Sequence, residues 1–133
     1  MVALHGFGDI YVTLSRGEGF DMPAFDAKLA GNVMVYTPSG GPSDFCDVLR
    51  DFKVPEKGSV PCHSFYGWEK DATYLDYSLE DAAKALNDAA FGLKNLEQTP
   101  PFEPVPAWYK AEVVGENMLR NLHEVVGENG KVH

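Results

Sequence analysis

The residues best suited to chemistry lie in one glycine-rich stretch, Ser-Arg-Gly-Glu-Gly-Phe-Asp-Met-Pro-Ala-Phe-Asp, at positions 15 to 26. Among its three carboxylates, Glu18 and Asp26 have seven residues between them. A carboxylate accepts charge-assisted hydrogen bonds from neighbouring hydroxyl groups, such as those of a ribose or a hexose. Positions 15 to 26 are therefore the candidate site for a ligand rich in hydroxyl groups.

The flanking residues predict a β-strand before this stretch and an α-helix at its end. Residues 9–14 are a β-branched and aromatic run of strand length, and Pro23 opens a helical segment that extends to Ala30 and is closed by Gly31. At such a junction the free N–H groups of the first helical turn and the positive end of the dipole can receive a phosphate. A tight structural turn that binds no ligand is the alternative interpretation.

A second strand indicates the fold class. Residues 33–36 are apolar, and a Pro-Ser-Gly-Gly turn at residues 38–41 ends them. Strand, helix and strand in this order predict a right-handed βαβ unit. We therefore predict an α/β fold, a Rossmann-like parallel sheet with flanking helices, in which residues 9–14 are a buried strand and residues 1–6 end a preceding helix.

The glycine-rich stretch resembles the donor-site signature of retaining GT-B glycosyltransferases. That signature has an acidic residue, seven intervening residues and a second acidic residue, and here the run from Ser15 to Phe20 is followed by Pro23 and Asp26. Residues 27–35 resemble the family's next helix and strand, and residues 40–45 resemble the Gly-Gly turn that follows. The resemblance is clear over about residues 3–45 and is fainter to about residue 91.

The resemblance implies a role for each residue of the stretch. It implies that Glu18 is the catalytic-site carboxylate that holds hydroxyl groups of the donor sugar, and that Asp26 holds the ribose. The remaining donor-binding candidates are Gly19, Phe20, Asp21 and Met22, through their backbone N–H groups, and Arg16 as the local cation. Retention in this family needs no metal, because basic side chains and the helix dipole stabilise the leaving diphosphate. No cofactor is expected besides the nucleotide-diphosphate sugar that is the donor substrate.

Three departures from the family pattern qualify these roles. Asp26 is one methylene shorter than the usual Glu, and Asp21 replaces a small residue and would repel a diphosphate unless its carboxylate points away. The family's phosphate-binding Arg and Lys and its acceptor domain have no counterpart here, and Arg16 is more readily a structural or solvated residue. We therefore expect the last part of a donor-binding domain, with an open sheet edge that favours self-association or a partner chain.

Two function classes follow. The first is a glycosyltransferase, or its donor-binding portion, that transfers a hexose with retention to an unknown sugar, lipid or protein acceptor. The alternative is a non-catalytic module that keeps the fold for nucleotide-sugar binding or for assembly. An unrelated α/β protein with a chance match is a third interpretation.

Composition and charge limit the classes of partner that the chain is expected to bind. With twenty acidic and eleven basic residues the net charge is -9, so we expect no nucleic-acid partner. No apolar run is long enough to span a membrane, and we expect a cytoplasmic chain. Cys46 and Cys62 form no framework and are expected to be reduced, although a disulfide between them stays open. The scattered histidines lack the additional ligands of a metal site.

The remaining residues organise the chain into three parts. These are a partial donor-binding domain at residues 1–97, a Pro-rich spacer at residues 98–106, and a C-terminal helix with a loose tail at residues 107–133. Within the first part we predict a helix at residues 43–52 with Phe45, Val48 and Leu49 on its apolar stripe. An irregular segment at residues 53–70 with one possible edge strand at 59–62 follows, and then an extended segment at residues 74–77. The aromatic residues at positions 65, 66 and 68 are expected to cover the core.

A capped helix is predicted after the extended segment. Ser78 is followed three residues later by Asp81, which is the pattern of a helix N-terminus. Apolar residues then recur at helical spacing as far as residue 91, and they predict an inward face made of Leu79, Ala82, Ala83, Leu86 and Ala90.

Overall fold

The computed structural model describes residues 2–62, 72–93 and 111–126. The elements are, in chain order, α1 (Val2–His5), β1 (Ile10–Thr13), α2 (Met22–Leu29), β2 (Val33–Tyr36), α3 (Pro42–Phe45), β3 (Phe52–Lys53), β4 (Gly58–Pro61), β5 (Thr73–Asp76), α4 (Leu79–Leu93) and α5 (Ala111–Val126). The predicted aromatic cover at residues 65–68, the spacer at 98–106, the start of the last helix and the tail lie outside the described residues.

The three strands β1, β2 and β3 form a parallel sheet in that order. Ile10 lies opposite Val33, Thr13 lies opposite Tyr36, and Val35 lies opposite Phe52. Helix α2 connects β1 to β2, as the βαβ pattern predicted. The prediction of an α/β, Rossmann-like parallel sheet packed against helices is confirmed.

Helices cover both faces of this sheet. On one face Val33 and Val35 pack with Val54 and the alanines of α4, and on the other Met34 and Tyr36 pack with α2 and Phe45. All four residues of β2 are buried because the central strand is covered on both sides. The core therefore fixes α2, which carries the end of the candidate site, against the middle of the sheet.

Strand β1 is less buried than predicted. It is an edge strand, and β2 is the strand with which it pairs in the part of the chain that the structure describes. The Val12 side chain is 42% exposed for this reason. Thr13 is buried and Ile10 packs against the core, so the prediction of a buried strand holds for part of β1 and is wrong for Val12.

Helix α3 is shorter than the predicted helix at residues 43–52, because the chain leaves the helical conformation at Cys46, where ψ is 139°. The carboxylate of Asp47 then accepts the backbone N–H of Leu49 at 2.9 Å, which stabilises a turn. Phe45, the first residue of the predicted apolar stripe, is buried, but Val48 and Leu49 are 77% and 92% exposed, so the prediction was wrong for these two residues.

Helix α4 begins as predicted. The Ser78 hydroxyl accepts the backbone N–H of Asp81 at 3.1 Å and donates to the Asp81 carboxylate at 2.6 Å. Its inward face agrees with the prediction at Ala82, which is buried, and differs from it because Ala85 and Ala89 are the other buried residues. Leu79 and Leu86 are exposed instead, since small residues let the helix approach β2 closely.

A two-stranded antiparallel ribbon of β4 and β5 forms a second sheet. Val60 lies opposite Tyr74 in this ribbon. The extended segment predicted at residues 74–77 is confirmed as β5. The segment predicted to be irregular, residues 53–70, begins with Lys53, which is the last residue of β3. It also contains β4, which is the edge strand that residues 59–62 suggested.

Candidate functional site

The β1–α2 loop, residues 14–21, leaves the carboxyl end of β1 and contacts the neighbouring loop that leaves β2. The backbone N–H of Glu18 donates to Ser39 Oγ at 3.2 Å, and the N–H of Gly41 donates to the carbonyl of Gly19 at 3.0 Å. The Thr37 hydroxyl donates to the carbonyl of Ser15. Adjacent parallel strands thus bring the two loops together at one edge of the sheet, where ligands bind in many α/β folds.

The Gly-Gly turn is a steric requirement of this contact. A Cβ on Gly40 would lie 1.9 Å from the carbonyl oxygen of Glu18, and one on Gly41 would lie 2.1 Å from the carbonyl oxygen of Phe20. Gly40 also has a φ of +61°, a conformation that favours glycine. These glycines let the backbone of one loop lie directly on the backbone of the other.

Strand β5 holds the same loop from another side. The backbone N–H of Leu75 donates to the carbonyl of Arg16 at 2.9 Å, and the Tyr77 hydroxyl donates to the carbonyl of Leu14 at 2.9 Å. The contacts to the β1–α2 loop therefore come from residues 37–41 and from residues 75–77, which are distant in sequence. The backbone carbonyls of the loop accept hydrogen bonds from both sides, and these bonds fix its conformation.

The two predicted carboxylates lie on the loop and the helix as expected. Glu18 is exposed on the loop, and its carboxylate accepts the hydroxyl of Ser15 at 3.1 Å. Asp26 lies in the second turn of α2 and is half-buried. The geometry thus presents Glu18 to solvent and keeps Asp26 on the helix that follows.

Asp21 occupies the N-terminus of α2. It adopts the left-handed conformation with φ 61°, and its carboxylate accepts the backbone N–H of Ala24 at 3.2 Å and the hydroxyl of Thr13 at 2.6 Å. A short Asp side chain tolerates this conformation because it can hydrogen-bond locally. The chain therefore places its own negative charge where the free helix N-terminus was predicted to receive a phosphate.

Arg16 turns to the β4–β5 ribbon. Its guanidinium lies 3.7 Å from the Asp76 carboxylate, and its central carbon lies 5.5 Å from the ring centroid of Tyr77. The side chain stays 48% exposed, so this ion pair is a weak surface contact. The structural interpretation of Arg16 has direct contacts in its favour, and its predicted donor-binding role stays a prediction.

The other predicted donor-binding residues differ in their surroundings. The Phe20 ring packs at centroid distances of 5.1 Å from Phe25 and 5.6 Å from Phe45, so it anchors the loop to the core. Gly19 is exposed and Met22 is 58% exposed. The first N–H groups of a helix have no intrahelical acceptor, so Met22 keeps a donor at this surface.

A buried ion pair that the sequence did not reveal joins Lys28 of α2 to Asp51, which precedes β3. The Lys28 ammonium donates to the Asp51 carboxylate, and both side chains have no exposed area. Asp51 also accepts the backbone N–H groups of Met34 at 2.9 Å and Asp47 at 2.7 Å. The pairing joins residues 23 positions apart, so spacing gives no signal for it.

Burial near this ion pair also raises the pKa values of two other side chains, Tyr36 and Cys46. Desolvation, with a smaller contribution from the charge of Asp51, raises the pKa of Tyr36 to about 12. Desolvation likewise raises the pKa of the Cys46 thiol, with the Asp51 charge as the next cause. Cys46 and Cys62 are free cysteines. Because only the thiolate is a strong nucleophile, Cys46 is unsuited to nucleophilic catalysis at neutral pH.

Residues 2–62, 72–93 and 111–126 contain no group of three or more His, Cys, Asp or Glu side chains arranged to hold a metal ion. Within the same ranges no helix is long and apolar enough to cross a membrane. A cavity of about 450 Å³ lies between α4 and residues 48–55, and no residue of the β1–α2 loop lines it.

Comparisons of the chain with protein-family models, with curated proteins and with solved structures found no match. The candidate site is therefore argued from its own geometry. It combines an exposed carboxylate, a helix that carries a second carboxylate, and a loop that is fixed from two sides.

Proposed function

We propose that this chain contributes the donor-binding part of a retaining hexosyltransferase of the GT-B type, which transfers a hexose from a nucleotide-diphosphate sugar. The observation that carries the proposal is the exposed Glu18 carboxylate on a β1–α2 loop held in place by hydrogen bonds, with Asp26 in the second turn of the helix that follows. A pair of carboxylates in these positions suits a ligand with hydroxyl groups at both ends, as a nucleotide sugar has.

Each carboxylate has a separate role in this proposal. Glu18 accepts hydrogen bonds from the hydroxyl groups of the donor hexose, and Asp26 accepts those of the ribose, directly or through a water. In the transfer, the bond between the anomeric carbon and the diphosphate oxygen breaks with its electron pair on the diphosphate. An acceptor oxygen forms the new bond on the same face of the sugar, and its proton passes to the departing diphosphate oxygen.

The charge of the loop limits how the diphosphate is held. Asp21 already caps α2 and Arg16 already contacts Asp76, so the loop offers little unopposed positive charge. A diphosphate would be bound to one side of the α2 N-terminus, near the exposed Gly19 and Met22. We therefore assign this chain donor binding, and the acceptor, whether sugar, lipid or protein, stays undefined.

One observation favours the alternative, a non-catalytic nucleotide-sugar-binding or assembly module derived from the same fold. The Asp21 carboxylate occupies the helix N-terminus that would otherwise stabilise a leaving diphosphate. The open edge of β1 further favours a second copy or another chain as a partner.

Calorimetric titration with UDP- and GDP-hexoses tests the proposal. Binding by the wild-type chain that weakens about tenfold or more in both Glu18→Gln and Asp26→Asn supports a donor site at these residues. Glu56→Gln is the matched control, because Glu56 is an exposed carboxylate outside the β1–α2 loop and α2. Absence of binding at millimolar ligand would contradict the donor-site proposal and favour the assembly function.

A further inference from the structure

We infer that the cavity beside the β3 edge of the parallel sheet is a second binding site, and that it takes a neutral, planar heterocycle with an amide-like edge. Such an edge carries one hydrogen-bond donor next to one acceptor, as in a lactam fused to an aromatic ring. The inference does not rest on the proposed function, because no residue of the β1–α2 loop lines this cavity.

The cavity lies where the sheet ends on the side opposite to β1. Among the described residues β3 is the edge strand there, since the order of the sheet is β1, β2, β3. The cavity has a volume of about 450 Å³ and is lined by β3, by the residues that flank it and by α4. Small-molecule sites typically have volumes of roughly 300–1000 Å³. The edge of the sheet thus borders a space large enough for a ring compound.

The backbone of Lys53 supplies the polar contacts of the proposed site. Lys53 lies opposite Tyr36 in the parallel ladder, and the backbone N–H of the following residue, Val54, donates to the Tyr36 carbonyl at 2.8 Å. Alternate residues of a strand bond to the same neighbouring strand, so the N–H and the C=O of Lys53 point away from β2 and towards the edge. Lys53 is also one of the residues that line the cavity. It therefore offers one donor and one acceptor side by side.

This edge suits a small molecule better than a further strand. A further strand would bond to alternate residues of the edge, which here are Asp51, Lys53 and Pro55. The N–H of Asp51 already donates to the carbonyl of Asp47 at 2.7 Å, and Pro55 has no N–H. Lys53 remains as the donor of this edge, and a single donor with its neighbouring acceptor matches the edge of one lactam.

Apolar side chains form much of the remaining wall. Val48, Leu49 and Phe52 line the cavity. Phe52 packs against the core, whereas Val48 and Leu49 are 77% and 92% exposed. A ring bound in the cavity would remove part of this apolar surface from water. The site thus combines apolar contacts with one pair of backbone groups, which is a common composition of small-molecule sites.

The charges around the cavity favour a neutral ligand. The Lys53 side chain leaves β3 on the face opposite to Phe52, because successive side chains of a strand alternate. Arg50 has a partner within the chain. The other charged lining residues are also paired, Asp51 with Lys28, Asp88 with Lys84, and Asp81 with the Ser78 hydroxyl. A charged ligand would have to compete with these pairs, whereas a neutral ligand leaves them intact.

Two-dimensional amide NMR spectra of the whole chain, titrated with oxindole, test the inference. Oxindole is a planar two-ring lactam whose N–H and C=O are adjacent. We expect the Lys53 N–H resonance to move on titration, and the Val54 N–H, which is bonded to Tyr36, to move much less. N-methyloxindole keeps the rings and the C=O but lacks the donor, so it should bind about tenfold more weakly.

Two substitutions at Lys53 separate the role of its backbone from that of its side chain. Lys53→Ala keeps both backbone groups and should bind oxindole as the wild-type chain does. Lys53→Pro removes the N–H that points away from β2, a change that an edge strand tolerates, and should weaken binding about tenfold or more.

A further variant leaves the strand unchanged. Leu49→Ala removes an apolar contact at an exposed position and should weaken oxindole binding about fivefold. Leu79→Ala is the matched control, because Leu79 is a 72% exposed leucine of α4 that does not line the cavity. Binding should be the same in Leu79→Ala as in the wild-type chain, and an equal loss in both leucine variants would contradict the site.

Other results would also overturn the inference. One is a Lys53 N–H resonance that stays in place at millimolar oxindole, and another is equal binding of N-methyloxindole. Loss of binding in Lys53→Ala would mean that the ammonium group holds the ligand, and loss in Glu18→Gln would mean that the β1–α2 loop holds it. Because the nucleotide-sugar titration does not use oxindole, either proposal can fail while the other stands.

Discussion

The buried ion pair of Lys28 and Asp51 gives the sharpest test of how the sheet positions α2. Asp51→Asn removes the negative charge and leaves the Lys28 ammonium uncompensated in a site without exposed area. Breaking a buried pair in this way costs about 3–5 kcal/mol. The amide that replaces the carboxylate also cannot accept from all three donors, Lys28, Met34 and Asp47, so about 4 kcal/mol is a reasonable total.

Urea unfolding followed by circular dichroism measures this loss. With a slope of about 2 kcal/mol per M, the unfolding midpoint should fall by about 2 M. The second variant, Lys28→Met with Asp51→Asn, removes the unpaired cation and should recover about 2 kcal/mol relative to Asp51→Asn alone. A domain of ordinary stability, about 5–15 kcal/mol, stays folded enough for the comparison.

An exposed pair on α4 is the matched control. Lys84 and Asp88 lie 2.6 Å apart, but their side chains are 74% and 46% exposed. Asp88→Asn should leave the unfolding midpoint unchanged, because surface ion pairs contribute little. If Asp51→Asn shifts the midpoint no more than Asp88→Asn does, the reasoning that α2 depends on a desolvated charge is refuted.

Two further predictions concern the loop contact and the sheet. Gly41→Ala should lower the thermal midpoint by several degrees, because its Cβ would lie 2.1 Å from the Phe20 carbonyl oxygen. Gly19→Ala is the control and should be tolerated, since no described atom lies within 4 Å of its Cβ. Equal shifts of the midpoint in the two variants would contradict the packing of the loops. The pKa of Tyr36 is about 12 in the folded chain and lies above its ordinary value of 10.0, so stability should fall between about pH 10 and pH 12. In urea unfolding at each pH, Tyr36→Phe should make that fall smaller, and the raised pKa of Cys46 should account for part of what is left.

The local signals of the chain were enough to predict its framework. Pro23 near the start of α2, Gly31 after its end and the β-branched residues of β2 act within a few positions of one another, so the βαβ unit could be derived from neighbours in sequence. The capping pair of Ser78 and Asp81 is likewise a contact across three positions. Predictions of this kind were confirmed.

What the sequence did not reveal depends on distant contacts. Periodicity predicted an inward face of α4 that contains both leucines, whereas packing against β2 buries Ala85 and Ala89, which the prediction left out. The Lys28–Asp51 pair joins two charged residues that composition alone would assign to the surface. The Asp21 carboxylate was predicted to affect the site by repulsion, whereas in the structure it caps α2 at Ala24 and also accepts the hydroxyl of Thr13 on β1.

The β1–α2 loop is held through its main-chain atoms, and this has a consequence for how such a site can change. The contacts that fix it reach the carbonyls of Leu14, Ser15, Arg16 and Gly19 and the N–H of Glu18. None of these depends on the chemical identity of the side chain at position 18 or 22. The loop is thus a platform on which side chains can be exchanged without reshaping the backbone, which makes it suitable for selecting new ligand preferences from a library at these two positions.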